Sequence, residues 1–397
     1  MAKSLEDARR IIIENVATLE TESVGLLELV GRSSAEEIRA PWDLPRWDNS
    51  EMDGFAIAAS DCQSTTSLQV VGYIPAGVSA ETVSVNPGTA VRIMTGAPVP
   101  AECGAIVPIE NTDGGEDSVT IVKTVQPGDY IRTRGGDIAA GELMIPLGTV
   151  LRPAEINLLA AFGHVEMKVY RQPRVGILST GDELVAPGET AGSGQIIDSN
   201  AYSLAAAVKE LGGIPQLLGI ARDDHASLKQ KITLGLQADA LITSAGISTG
   251  DRDLVNETLK EVGVEQLFWR VAMKPSGPTA FGVQAGQPVF SLPGNPVSSM
   301  IGFEELVRPA LLKMMGQNVL FRPLRKAIAK TTLLNTSGKL RFLRVKATET
   351  DEGLIVESAG NQNTGILSTM IRANAFAVLS ADRERVNCGE EVDVHFF

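Results

Sequence analysis

The chain has little of what most often does chemistry alone. Its 397 residues include three cysteines and three histidines. Cys62, Cys103 and Cys388 are odd in number and far apart, which excludes a disulfide framework and a regularly spaced zinc site. His164, His225 and His395 are equally dispersed, so a histidine-centred metal site or triad is not supported. No run of lysine and arginine interrupts a net charge of -13 and a pI near 4.9, which argues against a nucleic-acid or anionic-membrane partner. No stretch reaches the ~18 apolar residues a membrane helix needs. The amino end, Met1 to Asp7, is too acidic and polar for a secretory signal, and a cytoplasmic location is expected.

The hydrophobic fraction of 44% is that of a globular protein, and the length exceeds what one core organises, so several domains are expected. Ser4 with Asp7 reads as a helix cap, and Leu5, Ala8, Ile12, Val16 and Leu19 fall on one helical face. From about Leu26 to Gly141, Pro and Gly recur between short apolar runs such as 68–71, 90–93, 105–108 and 119–122, the texture of a β-rich domain. Residues 151–163 return to helix. After Pro173, strand, loop and helix alternate, which implies a doubly wound parallel-type sheet with helices on both faces. Beyond Gly316 short strands return, pointing to a small all-β carboxyl-terminal domain. The reading is therefore a multidomain α/β protein: a helical hinge (1–25 with 142–172), a β-rich insertion (26–141), an α/β domain (173–316) and a β domain (317–397).

Four loops of the α/β domain each follow an apolar run. They are Ser179 to Glu183, Arg222 to Asp224, Ser244 to Asp253 and Leu292 to Ser298. Parallel strands would gather them at one crevice beyond the strands' carboxyl ends. Amides there would cradle phosphate and acidic oxygens would hold a hard divalent cation. Ser244 to Asp253, with Gly246, Ser248 and Gly250, fits such a cradle, or else it is an ordinary loop in which Asp251 or Asp253 caps a helix; it has neither Walker nor dinucleotide spacing. Asp182 and Glu183 are adjacent acids that repel unless a cation lies between them. Arg222, Asp223 and Asp224 read equally as a surface group capping the next helix. Lys274 sits in a rigid Pro and Gly frame, suited to fixing an ammonium against an anion, or at a plain strand edge. In the β-rich part, Asp48 to Ala56, Ile93 to Pro100 and Arg132 to Asp137 read locally as turns.

Taken together these strings resemble the MoeA family of molybdopterin molybdenumtransferases, which includes the E domain of gephyrin. The likeness spans essentially the whole chain. Asp-Asn-Ser-x-Met-Asp-Gly at 48–54, Met-Thr-Gly-Ala at 94–97, Gly-x-Asp-Ile at 135–138, Thr-Gly-Asp-Glu-Leu at 180–184, Asp-Ser-Asn at 198–200, Met-Lys-Pro at 273–275 and Leu-Pro-Gly-Asn-Pro-Val-Ser at 292–298 follow in family order. The third domain also resembles the adenylyltransferase that precedes this enzyme. The resemblance implies an elongated homodimer that inserts molybdate into adenylylated molybdopterin with Mg²⁺ and releases AMP, with that adenylyltransferase as a possible partner. It implies that Asp53, Thr95, Asp137, Glu183, Asp223, Asp253 and Lys274 are functional, the first three serving the partner subunit's crevice. Glu183, Asp223 and Asp253 would hold Mg²⁺. Ser244, Gly246, Ser248, Gly250, Pro293, Gly294, Asn295, Ser298 and Arg344 would bind substrate, Arg344 and Lys274 facing molybdate.

Two strings depart from the family. Its Lys-Pro-Gly-Lys-Pro reads Lys274-Pro275-Ser276-Gly277-Pro278 here, without the second lysine, and Ala245 replaces a cradle glycine. Weaker or altered oxyanion binding is expected. The alternatives are a non-catalytic paralogue that binds molybdopterin or scaffolds partners, and another nucleotide-processing enzyme sharing only the middle domain.

Overall fold

Residues 2–244 and 254–397 are described by the computed structural model, and the chain divides into two compact units. One comprises Met1–Glu36, Leu147–Asn157 and Val165–Phe397; the other comprises Glu37–Pro146 and Leu158–His164.

The first unit begins with α1 (Leu5–Asn15), whose cap is the expected one: Asp7 N donates to Ser4 Oγ at 3.0 Å. The helix stops at Asn15, so Val16 packs into the core from its carboxyl-terminal cap position and Leu19 from beyond the helix. The 151–163 helix is α2 (Pro153–Ala161), with proline opening its first turn.

The α/β region is built on a six-stranded sheet ordered Ile214–Ala221, Arg174–Thr180, Ala240–Ser244, Gln287–Leu292, Ala280–Gln284 and Glu265–Phe268. The first four strands are parallel. Ala280–Gln284 runs antiparallel to both of its neighbours, Gln287–Leu292 and Glu265–Phe268, so the expected parallel sheet is mixed at that side. Alternating side chains of the Ala240–Ser244 strand feed two cores, as a sheet covered on both sides requires. Ala240 and Ile242 join α1, α3 (Asn200–Glu210) and the helices after Pro296 on one face. Leu241 joins α4 (His225–Gly235) and α5 (Leu254–Glu261) on the other. The long helix expected after Pro296 is interrupted: α6 (Pro296–Gly302) passes through a π-helical turn, Phe303–Val307, into α7 (Arg308–Met314). Such a turn re-phases the buried side, and Phe303, Leu306 and Val307 remain in the core.

The carboxyl-terminal strands Arg325–Ala329, Leu340–Thr350, Gly353–Ser358, Ala375–Leu379 and Glu391–Phe396 form a closed barrel, because Leu340–Thr350 pairs with both Gly353–Ser358 and Ala375–Leu379. Closure removes the exposed edges. The interior is small, and Ala327, Ala329, Ala347, Ala375 and Ala377 supply much of its lining. The two-residue strand Met273–Lys274 adds to Leu340–Thr350 from outside the barrel.

The second unit holds a five-stranded sheet, ordered Cys103–Pro108, Gly54–Ala58, Thr89–Ile93, Ser67–Ile74 and Ser118–Thr120. It too has a core on each face, one with Phe55 and Ile57, the other with Ala56 and Ile93. No helix among the described residues is long and apolar enough to cross a membrane.

Candidate functional site

Two of the four predicted loops, Ser179 to Glu183 and Arg222 to Asp224, leave the carboxyl ends of adjacent parallel strands and are tied together by hydrogen bonds. Arg222 donates from Nη1 to the carbonyls of Asp182 and Leu184 at 3.3 and 3.1 Å, and the Asp223 amide donates to Asp182 Oδ1 at 3.3 Å. Asp223 and Glu183 thus belong to adjacent loops, both exposed. The Glu183 carboxylate folds back over Gly181, whose φ of 142° is a backbone conformation that favours glycine. Asp224 has the plainer role: its Oδ1 accepts from Ser227 N at 2.8 Å and caps α4.

The hub of the crevice is Asn200, at the start of α3. Its Nδ2 donates to Ser244 Oγ and to the Gly294 carbonyl, both at 2.8 Å, so one side chain joins the end of the Ala240–Ser244 strand to the Pro293-Gly294-Asn295 loop. Asp198 accepts from Ala201 N at 3.2 Å and fixes the start of that helix. Among the described residues Asn200 Oδ1 has no partner, and neither do the hydroxyls of Ser179, Thr180 and Thr243, buried at the ends of the neighbouring strands. Buried polar groups are nearly always satisfied. The place of these hydroxyls, where parallel strands end, is the one at which ligands bind in open α/β sheets.

The network continues toward the barrel. Val297 N donates to Thr364 O at 3.4 Å, linking the 292–298 loop to the 361–364 segment. That segment is held by Arg344, whose Nη2 donates to the carbonyls of Asn361 and Asn363 at 3.1 and 3.2 Å. Arg344 is 1% exposed with Nε unpartnered. Burial first, then the charge of Arg341, bring its guanidinium down to about 10. Ser298 is buried within α6. Lys274 is exposed on the edge strand, the arrangement that the plainer reading of the sequence allowed. The following turn packs on α6, Ser276 Oγ lying where a Cβ on Gly302 would come within 2.4 Å.

In the second unit the three turns also come together. Asp53 Oδ1 accepts from Thr95 N and Thr95 Oγ1, both at 2.7 Å. These two bonds, backbone first, hold the Asp53 carboxyl below its ordinary range. Gly96 N donates to Ser50 O at 2.8 Å, and Asn49–Ser50 pairs with Ile131–Arg132. That pairing leads into the turn bearing Asp137, whose side chain is exposed and whose amide bonds to Leu44 O at 3.1 Å.

Gly246, Ser248, Gly250 and Asp253 lie outside the described residues. Among the described residues no three carboxylate, histidine or cysteine side chains come together as a metal site. The hard oxygen donors of Glu183 and Asp223 nevertheless suit a magnesium ion. Asn200, Arg222, Asp182, Ser179 and Thr180 stand in the motifs the sequence offers but were given no site role there, and Thr243 belongs to none of them. For Ser179, Thr180 and Thr243 a signal was present, as polar residues closing otherwise apolar strands.

Three family models cover the chain in order: the MoeA N-terminal region (domain I and II) over 3–163, the probable molybdopterin binding domain over 176–313, and the MoeA C-terminal region (domain IV) over 326–397. Molybdopterin molybdenumtransferase of Haemophilus influenzae is 37% identical over 399 residues, 99% of this chain and 98% of the relative. Molybdopterin molybdenumtransferase 2 of Mycobacterium tuberculosis is 37% identical over 405 residues, covering 99% of each. The solved molybdopterin biosynthesis MoeA protein of Pyrococcus horikoshii OT3 superposes with a TM-score of 0.86 at 28% identity, over 100% of both chains. With this likeness from end to end, and its strings placed in the crevice, the turns and the barrel as described, the chain belongs to the MoeA family.

Proposed function

We propose that this protein is a molybdopterin molybdenumtransferase, inserting molybdate into the dithiolene of adenylylated molybdopterin with Mg²⁺ present and releasing AMP. The observation that carries this reading is the Asn200 hub with its unpartnered hydroxyls, supported by family membership along the whole chain. The crevice offers the phosphates neutral donors, which an acidic protein must supply locally. Ser244 and the Pro293-Gly294-Asn295 loop line that floor, and the family resemblance assigns Gly246, Ser248 and Gly250 to the same phosphates. Glu183, Asp223 and Asp253 would hold Mg²⁺, which supplies Lewis-acid neutralisation of the phosphate that departs with AMP. Lys274 offers its ammonium to molybdate, and Arg344 holds the segment that borders Ser298.

A homodimer in the cytoplasm is part of the proposal, with Asp53, Thr95 and Asp137 acting on the partner copy's crevice. The adenylyltransferase that makes the substrate is the matching protein partner. The test is AMP release from adenylylated molybdopterin with molybdate and Mg²⁺. Asp53→Ala, Glu183→Ala and Asp223→Ala should each abolish release, and Glu183→Ala and Asp223→Ala should leave the melting curve unchanged, since those two side chains are exposed. Normal turnover in all three refutes the site. The missing lysine at Gly277 favours one second reading, a binding-only paralogue; tight molybdopterin binding without any AMP release would establish it.

A further inference from the structure

Lys274, on the edge strand Met273–Lys274, and Arg341 and Arg344, on the barrel strand Leu340–Thr350 beside it, make no ion pair with any acid among the described residues. Lys274 and Arg341 are direct cross-strand partners in the parallel pairing of Met273–Lys274 with Leu340–Thr350. Directly opposed residues project from the same side of a sheet. Two like charges placed so are destabilising unless something negative lies between them. Arg341 is half-buried, and its Nε is buried with no acceptor. Burial accordingly pulls its guanidinium below the ordinary value. That buried Nε–H, given neither carboxylate nor carbonyl among the described residues, carries an uncompensated desolvation cost.

The backbone nearby cannot supply a further cation. At Gly277 a Cβ would lie 2.8 Å from the Met273 carbonyl, so any side chain there displaces the strand that carries Lys274. The left-handed conformation of the turn falls instead on Ser276, at φ 66°, which is buried and hydrogen-bonded to Thr279 at 2.9 Å. The turn is thus closed to a second lysine, and the charge opposite Lys274 comes from the barrel.

We propose that Arg341 is a specificity-determining residue, forming with Lys274 a two-cation subsite for a tetrahedral oxyanion dianion of the molybdate class. This rests on the function proposed above and deepens it. The guanidinium fork can place two parallel N–H donors on two oxygens of such an anion while the ammonium takes a third, a geometry that two lysines do not reproduce.

The test is calorimetric titration of the intact protein with sodium molybdate, alongside AMP release. Arg341→Gln should weaken molybdate binding at least ~10-fold, the scale of one lost charge-assisted bond pair, and raise the KM for molybdate with kcat and AMP affinity unchanged. Arg341→Lys should recover part of the affinity. Molybdate should raise the melting midpoint of the wild type and not that of Arg341→Gln. Equal molybdate affinity in wild type and Arg341→Gln, with Lys274→Gln impaired, overturns the role of Arg341 and spares the transferase reading. A wild type that neither binds molybdate nor releases AMP overturns both. If Arg341→Gln melts early and Arg341→Lys restores the melting point but not the affinity, charge alone does not suffice and the fork geometry is upheld. Restoration of both to wild-type values by lysine refutes the fork.

Discussion

Asn200 is the side chain on which the crevice depends most, and its replacement gives a calculable result. It is 8% exposed, and its amide feeds two acceptors, Ser244 Oγ and Gly294 O, each at 2.8 Å. Asn200→Ala strands both. A stranded buried group costs ~1–3 kcal/mol, but the Ser244 hydroxyl can rotate while the Gly294 carbonyl cannot. The carbonyl therefore dominates, and about 2 kcal/mol is expected. For a region of this size that lowers the melting midpoint by roughly 4–8 °C. The same ~2 kcal/mol, spent on holding the 293–295 loop in its binding position, weakens AMP binding by up to ~30-fold. Differential scanning fluorimetry and AMP titration read the two effects. Asn200→Asp sharpens the test, because an ionised carboxylate only accepts and would face the Gly294 carbonyl with a second oxygen. It should be worse than alanine on both measures. An Asn200→Asp protein that melts and binds AMP like the wild type refutes the hub.

Two further outcomes follow from charged groups away from the crevice. Glu155, bonded through its side chain to Arg152 at the start of α2, is held at about 2 against an ordinary 4.5. A carboxyl lowered on folding adds stability above its unfolded value and loses it as pH falls through the folded one. The wild type should therefore exceed Glu155→Gln in melting temperature near pH 6, with the difference closing as the pH approaches about 2; a difference independent of pH contradicts this. Glu305, 1% exposed, is clasped by Arg9 of α1 and lies 2.9 Å from His395 Nε2 on the last barrel strand. Glu305→Ala removes the carboxylate from Arg9, which keeps the Glu305 carbonyl at 3.2 Å, and from beside His395, and should lower the melting midpoint, Glu305→Gln lowering it less. Equal melting of Glu305→Ala and wild type would show the cluster to be dispensable.

How much of this was legible in the chain depended on whether the signal was local. The strands of the α/β region announce themselves because they are buried on both faces and read as unbroken apolar runs, as in Val175 to Leu178 and Ala240 to Thr243. The caps at Ser4 and Asp224 were legible for the same reason, since their partners lie three residues away. The antiparallel end of the sheet was not, because a strand such as Ala280–Gln284 carries no mark of its neighbour's direction. Nor was the π-helical turn at Phe303–Val307, where apolar residues continue at helical spacing. In the site, Asp53 and Thr95 were found as motif members, but their bond spans 42 residues and nothing local signals it.

Arg344 and Lys274 show the same limit from the functional side. The sequence offers both as cations for one anion. In the folded chain Arg344 is committed to the carbonyls of Asn361 and Asn363, while Lys274 stands opposite Arg341. Burial separates the two arginines: full burial turns one into a brace for the segment that meets the 292–298 loop, and partial burial leaves the other with donors to spare. A barrel added to an α/β domain therefore does two jobs with two residues three positions apart. Its closed strands hold the rim of the crevice still, and its outer pairing with Met273–Lys274 brings a second charge to a turn whose own backbone has no room for one.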